Sequence, residues 1–404
     1  MDFSWTDEQS TLHEQALEFA RARLRGRDDD DDRSFARATW RALGDFGALG
    51  ACLPRAHGGL GLDALTTARV VEGLGHGARE LGLVFSACAH LLACAVPVAE
   101  HGSAQLQREV LPALASGEQI GANAITEAGA GSDVFSLRTT ARRDGDDYVL
   151  DGAKSYVTNG PVADQLLVYA STNPAHGYLG ISAFLVDARQ AGVTRGEPFH
   201  KTGLGSSPIC PVYLRDVRVP GYRRLGAEGG GAAIFQRSMA WERACLFAAF
   251  VGAMARDLEL CLEHARGRQQ FRKPIGRHQA VAHRLADMKL RLEGARLLLY
   301  RACWRLDRGE LAALDISLAK LAVSEAAVQS GLDVIRLHGG LGYMSETGLD
   351  NGLRDALGSL IFSGTSEIQR DLIARGLGLG ANGGHGVLLF LEFYLKPLHL
   401  VLGG

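Results

Sequence analysis

Hydrophobic positions recur along this chain at two periods, and the period changes twice. Near the start, Thr6 followed three residues later by Gln9 has the form of a capping box, and Leu12, Phe19 and Leu24 continue behind it at helical spacing. Helical text runs on to about Leu114, interrupted by the His-Gly-Gly-Leu-Gly segment at 57–61. Beyond Gly121 the pattern shortens. Asp144-Gly145 and Asp151-Gly152 read as two turns bracketing a strand at 147–150, and QLLVYA (165–170), ISAFLV (181–186) and PVYLRDVRVP (211–220) read as further strands. From about Ala232 the helical period returns. Leu285, Met288, Leu292, Ala295 and Leu299 advance by three and four residues, so they share one stripe of one helix, which predicts core or a helix-partner surface rather than a cofactor site. The expected order is helical, β, helical, with most residues in helices.

Composition narrows this picture. A chain of 404 residues is too long for one simple core, so two or three packed regions are expected. Lys plus Arg number 43 against 45 Asp plus Glu, a balance that gives no bulk attraction for nucleic acid or an anionic membrane. The seven cysteines are odd in number and form no CxxC, so buried thiols are expected rather than a disulfide framework. The opening MDFSWTDEQ is neither an apolar signal nor a basic transit segment, which points to a cytoplasmic protein. The five acids at 28–32 read as a solvated turn, because adjacent carboxylates cannot converge on one metal ion. The tail at 386–404 is apolar but interrupted by Glu392, Lys396, Pro397 and His399. It falls short of an uninterrupted membrane span and is expected to pack on the body or on a partner subunit.

Candidate chemistry lies in segments of glycine and small polar residues. ITEAGAGSD (125–133) carries Gly129 and Gly131, whose backbone could approach an anion or a flat ring, although a tight turn needs the same glycines. SYVTNG (155–160) and SGTSEIQR (363–370) are similar. None has the GxGxxG form, and no nucleophile elbow, HExxH, P-loop or paired metal-ligand spacing occurs, so no metal site is expected.

The strings ITEAGAGSD, DGAKSYVTNG, KTGLGSS, RQQFRKPIGRHQA, LHGGLGYMSE and IFSGTSEIQR, in this order and spacing, closely resemble the acyl-CoA dehydrogenase family over residues 3–379. The resemblance implies a mainly α fold with a central β domain: an N-terminal helical domain (1–118), a middle β-barrel domain (119–231) and a C-terminal four-helix bundle (232–379), followed by a glycine-rich linker and apolar tail (380–404). It implies FAD, bound in a homotetramer or homodimer with part of its adenosine end held by a neighbouring subunit. Ile125 and Thr126 match positions at the isoalloxazine edge, with Thr126 bonded to it. Ser132 matches a position meeting the flavin pyrophosphate or the thioester ligand. Tyr156 and Thr158 match the pair that stacks on the ring and donates near N5. Arg268, Gln270 and Phe271 match the segment that reaches a neighbour's FAD. Gly339 and Gly340 match the double glycine beside the pyrophosphate and adenosine, and Thr365 and Glu367 match contacts in the last motif. Two positions depart from the pattern: Arg336 stands where Gln is frequent and Arg272 where Gly is usual. Both lie near the phosphate end, where a cation is tolerable.

The base is the main departure. Many members carry glutamate immediately before the Gly-Thr of the last motif, where this chain has Ser363. A serine hydroxyl cannot take the α proton of a thioester. The branch containing isovaleryl-CoA and long-chain dehydrogenases takes its base from an earlier helix, at the residue before a family-typical arginine. The matching pair here is Glu242-Arg243 in SMAWERACL. Glu242 is thus the expected base, set against the plain alternative of a surface or salt-bridged helical glutamate. The Ser363 main-chain N–H remains available to hold the thioester carbonyl, and Arg243 is a supporting residue. The β hydrogen would leave as hydride to flavin N5.

SMAWERACL, IFSGTSEIQR and SACAHLLAC (86–94) together resemble branches acting on small acyl or aminoacyl groups, such as prolyl, carried on a peptidyl or acyl carrier protein. Ala240 stands where CoA-handling members often have an aspartate. The resemblance also leaves open a short- or branched-chain acyl-CoA dehydrogenase working with electron-transfer flavoprotein. A flavin-binding interaction protein without activity is the third reading.

Overall fold

The computed structural model describes residues 4–24, 35–310 and 312–379; the acidic run at 28–32 and the tail at 386–404 lie outside them. The opening helices are α1 (Asp7–Arg23), α2 (Arg37–Asp45), α3 (Ala64–Gly77), α4 (Gly82–His90), α5 (Val96–His101) and α6 (Ala104–Ala115). The capping box at Thr6 is formed in both directions, with the Thr6 hydroxyl accepting from Gln9 N–H and the Gln9 side chain accepting from Thr6 N–H. Between α4 and α5 the chain winds as a π-helical turn at Leu91–Ala95. The stretch Gly82–His101 is apolar and long enough to cross a membrane, yet almost all of it is buried inside the fold, so it is a core element.

The middle of the chain forms one eight-stranded sheet: β1 (Gly121–Ala124), β2 (Thr140–Asp144), β3 (Asp147–Thr158), β4 (Gln165–Ser171), β5 (Ile181–Asp187), β6 (Val193–Arg195), β7 (Ile209–Val219) and β8 (Arg224–Leu225). Three expected strands appear as β4, β5 and β7. The Asp144-Gly145 turn closes the β2–β3 hairpin, with Gly145 at φ 65°. The second expected turn is absent. Asp151-Gly152 lies inside β3, where the register against β7 shifts, so Gly152 marks a bulge. A Cβ there would sit 2.8 Å from the Thr139 Cα.

The sheet is not the closed barrel that the family resemblance implied. It runs β6-β7-β3-β2-β4-β5-β8, with β1 beside β4, and its end strands β6 and β8 do not pair with each other. The physical reason lies beside β8, which is only two residues long and whose flanking residues are tied to the opening segment instead of to β6. Gly226 N–H donates to the His101 carbonyl at 2.8 Å, Ser103 Oγ donates to the Tyr222 carbonyl at 3.2 Å, and Arg223 pairs with Glu109 at 2.9 Å. With its flanks so engaged, the short β8 offers β6 little edge to pair with.

The remaining helices are α7 (Gly231–Cys245) and α8 (Ala248–Gly267), then a hairpin of β9 (Gln269–Gln270) and β10 (Lys273–Pro274), then α9 (Gln279–Asp307), α10 (Ala313–His338), α11 (Asn351–Ser359) and α12 (Ser366–Gly376). Helix α10 packs against α7, α8, α9, α11 and α12, and α3 packs on α8, so the two helical regions share one core. All five stripe residues of α9, Leu285 to Leu299, are buried in it. The inner face of the sheet forms a second core around Tyr148, Leu166, Phe184 and Val212. Six cysteines are buried and Cys52 is half-buried, all as free thiols.

Candidate active site

Glu242 and Arg243 lie in the last turns of α7, and Ser363 lies in the short connection from α11 to α12. That connection is sharply bent: Ser363 has φ 56° and Gly364 φ 89°. Thr365 then caps α12 by accepting from Ile368 N–H at 3.3 Å. A left-handed glycine is free of strain, whereas a left-handed serine is held at some cost. Arg243 supplies part of the restraint, because its Nε donates to the Ser363 carbonyl at 2.7 Å. Gln369 Nε2 adds longer bonds to the Ser363 and Gly364 carbonyls, at 3.4 and 3.2 Å. Just before the bend, the Phe362 ring wedges between Phe85 and Phe247 at 4.6 and 5.7 Å.

The Ser363 hydroxyl donates to Glu242 Oε1. Residues 121 positions apart in the chain therefore meet on the carboxylate. Glu242 is 8% exposed. Burial raises its proton affinity above the ordinary carboxylate value, and the Ser363 hydroxyl and Arg243 charge offset only part of this. Cys88 of α4 and Tyr169 of β4 lie within its electrostatic reach, and burial keeps both neutral. A shielded carboxylate with a raised pKa, held by one oxygen, is suited to accept a proton from a weak carbon acid. The alternative of a solvent-facing glutamate does not describe it.

The glycine-rich segment after β1 is anchored by a pair the motifs do not advertise. Lys154 of β3 is fully buried; its Nζ donates to Glu127 Oε1 at 2.8 Å and to the Ile125 carbonyl at 3.1 Å. Glu127 also accepts from Arg138 N–H, Thr139 N–H and the Thr139 hydroxyl; burial alone would raise its carboxyl, but Lys154 first and then these donors hold it below the usual range. Ser155 N–H donates to the Thr126 carbonyl at 2.8 Å, which fixes Ile125 and Thr126 against the β3 bend carrying Tyr156. Tyr156 is 62% exposed at φ 54°, with the Phe199 ring 5.3 Å away, and Thr158 is half-buried beside it on β3. Asn159 is buried, and its Nδ2 donates to the Ser86 and Gly121 carbonyls. Ser132 is exposed. Sequence reasoning missed Glu127, Lys154, Asn159 and Gln369. The available signal was weak: Lys154 follows the apolar run of β3 and Glu127 sits in a glycine-rich loop, and only their meeting in the fold marks them as a buried pair.

The residues expected to meet the far end of a cofactor are spread over separate elements. Arg268 ends α8, Gln270 lies on β9, and Phe271 and Arg272 form the two-residue hairpin loop with φ 51° and 63°. Two positive φ values define a type I′ turn, which explains why glycine is usual at position 272. Phe271 is 88% exposed, so the hairpin points outward rather than towards Glu242 of its own chain. Gly339 ends α10 at φ 61°, and Arg336 stays exposed, 4.0 Å from Asp333. Glu367 is exposed on the first turn of α12, 3.6 Å from Arg370. A Cβ on Gly129, Gly131, Gly339 or Gly340 would meet nothing within 4 Å, so all four backbones face open ground. Ser366 Oγ and Gln369 Oε1 are buried without a partner at the start of α12. An exposed strained ring and open glycine backbones fit a large flat cofactor with a phosphate-bearing tail, and the unpartnered Ser366 hydroxyl and Gln369 carbonyl fit the hydroxyl and amine groups such a cofactor carries. No cluster able to hold a metal ion occurs among the described residues.

A helical, sheet, helical fold that carries both a buried carboxylate and such a surface defines a class. The chain belongs to the acyl-CoA dehydrogenase family, matching its N-terminal domain over residues 6–118, its middle domain over 122–217 and its C-terminal domain over 229–378. Within that family it is 49% identical over 94% of its length to the whole of an L-prolyl-[peptidyl-carrier protein] dehydrogenase of Pseudomonas fluorescens. It is 45% identical over 94% of its length to 99% of an enzyme of the same name from a Serratia species. Among solved structures, PigA with FAD and proline superposes with a TM-score of 0.91 at 44% identity, covering 94% of this chain and all of that one.

Proposed function

We propose that this chain is an FAD-dependent dehydrogenase that desaturates a prolyl or similarly small aminoacyl thioester, carried on a peptidyl carrier protein, between Cα and Cβ. The observation that carries the reading is Glu242, a buried carboxylate bonded to the serine that occupies the family's usual base position. The relatives that act on carrier-bound prolyl groups, and the solved relative holding FAD and proline, supply the substrate class and the cofactor.

Glu242 takes the α proton through Oε2, since Oε1 already accepts from Ser363. Burial raises its proton affinity towards that of the activated carbon, which makes the transfer less uphill. The Ser363 main-chain N–H survives the loss of the usual side chain and holds the thioester carbonyl as negative charge builds on it. Arg243 fixes the carbonyl of the same residue and so keeps that N–H in place. Ile125, Thr126, Tyr156 and Thr158 hold the flavin ring; Ser132, Gly339, Gly340, Thr365 and Glu367 line its tail. Arg268, Gln270 and Phe271, on the outward hairpin, reach the cofactor of a second copy in a homo-oligomer. Bound FAD supplies the hydride acceptor for the β hydrogen.

Anaerobic mixing of the FAD-loaded protein with prolyl-carrier protein is expected to bleach the flavin, and Glu242→Gln is expected to keep FAD and lose the bleaching. Reduction by short or branched acyl-CoA in preference to any carrier protein would move the chain to the acyl-CoA branch. A Glu242→Gln protein that reduces as fast as its parent would remove the base assignment. Reoxidation by air or by electron-transfer flavoprotein, measured in the same cell, identifies the electron acceptor.

A further inference from the structure

The side chain at position 363 stands in an unexpected conformational setting. Ser363 is one of seven non-glycine residues with positive φ among the described residues, and glycine would sit at φ 56° without strain. The chain keeps a serine, and its hydroxyl points at the one buried carboxylate on the neighbouring helix. The main chain behind it is clamped by Arg243 and Gln369, which keeps Cβ of Ser363 within reach of that carboxylate.

We infer that Ser363 is a positioning residue for proton abstraction: its hydroxyl holds Glu242 Oε1 in the ionised form and leaves Oε2 facing the substrate. This rests on the reading of Glu242 as the base. Oε2 accepts no hydrogen bond among the described residues, which leaves it free for the proton. Without the hydroxyl, Glu242 would be a buried carboxylate with Arg243 as its remaining favourable neighbour, and desolvation would hold it protonated over a wider pH range. The other groups facing it do not replace the donor. Cys88 on α4 and Tyr169 on β4 stay neutral through burial, and Lys320 on α10, which neighbours Arg243, gives its Nζ to the Ser359 carbonyl. The Lys320 ammonium is itself pushed down to about 8, so any effect it has falls on the alkaline side.

The test is the pH dependence of anaerobic flavin reduction in the holoenzyme, for the parent, Ser363→Ala and Ser363→Gly. Hydrogen bonds to charged groups are the stronger kind, so both variants should move the acid limb upward by about one pH unit, about a tenfold loss at a fixed pH on that limb. At high pH the rates should recover towards the parent. Infrared titration of the protonated Glu242 carboxyl, assigned by its absence in Glu242→Gln, should show the same upward shift in resting enzyme without turnover. Ser363→Gly separates the hydroxyl from the backbone, because it releases the left-handed strain and should raise the melting temperature while still shifting the limb. A limb and a carboxyl band at the parent's pH in both variants would overturn the inference. The underlying base assignment fails separately, if Glu242→Gln continues to reduce.

Discussion

Lys154→Met tests whether the glycine-rich segment depends on the buried pair beneath it. The lysine has no exposed surface, and its Nζ supports both the Glu127 carboxylate and the Ile125 carbonyl. Removing one member of a buried ion pair costs about 3–5 kcal/mol when the survivor is left alone. Glu127 would not be alone, since it keeps two N–H donors and the Thr139 hydroxyl. Burial also works against Lys154, lowering its pKa to about 8, so its loss relieves a strained charge. Weighing the pair, the orphaned carbonyl and this relief gives an expected loss of about 2–4 kcal/mol. Replacing both members, as Glu127→Leu with Lys154→Met, removes the stranded charge and should cost less than the two single changes summed, by about 2 kcal/mol. Urea unfolding of the apo-protein measures the cycle, and FAD titration of the folded variants shows whether Ile125 and Thr126 keep their places. A Lys154→Met protein within 1 kcal/mol of its parent, or singles that simply add, would refute the argument.

Other outcomes follow from the same structure. Glu242 has its proton affinity raised by burial, so the native state retains a proton the unfolded chain has released, and stability falls as pH rises from about 4.3 through the raised value. Glu242→Gln should therefore melt higher than the parent at pH 7.5, by about 1.4 kcal/mol for each tenfold of proton affinity that burial adds. That advantage should disappear below about pH 4; calorimetry across pH measures it, and equal melting at pH 7.5 contradicts it. Arg272→Gly relieves a left-handed arginine at φ 63°, and after the added chain entropy of glycine it should stabilise by about 0.5–1 kcal/mol in urea unfolding. Asp333→Asn leaves Arg284, now 2.7 Å from the carboxylate, and Arg291 without their common counter-charge; since both arginines are partly solvated, the expected cost is about 2 kcal/mol.

Much of this architecture is legible in the chain because its periods are clean. The stripe from Leu285 to Leu299, the strands β4, β5 and β7 and the Thr6 cap all follow from local spacing, and local spacing is what packing selects. Asp151-Gly152 misleads because a bulge and a turn ask for the same dipeptide, and only the nearness of Thr139 distinguishes them. Sheet closure is illegible for a different reason: it depends on whether the segment from His101 to Glu109 reaches the residues flanking β8, a long-range fact with no local sign. At the site, motif order points to Glu242 and Ser363 separately. Their hydrogen bond, the left-handed serine and the Lys154–Glu127 anchor arise from chain segments that meet only in the folded molecule.

The open sheet has a consequence for how the protein can be taken apart. The residues on either side of β8 are tied to His101, Ser103 and Glu109, which precede the first strand. Expressed by itself, the stretch 119–231 would lose those ties and bare Leu167, Tyr169 and Leu185, which pack in the core shared with the helices, so it should be recovered as aggregate even though the core around Phe184 and Val212 lies within it. The opening helices thus act as a built-in chaperone for the sheet, and a shortened version of this protein would have to begin upstream of His101 to remain in solution.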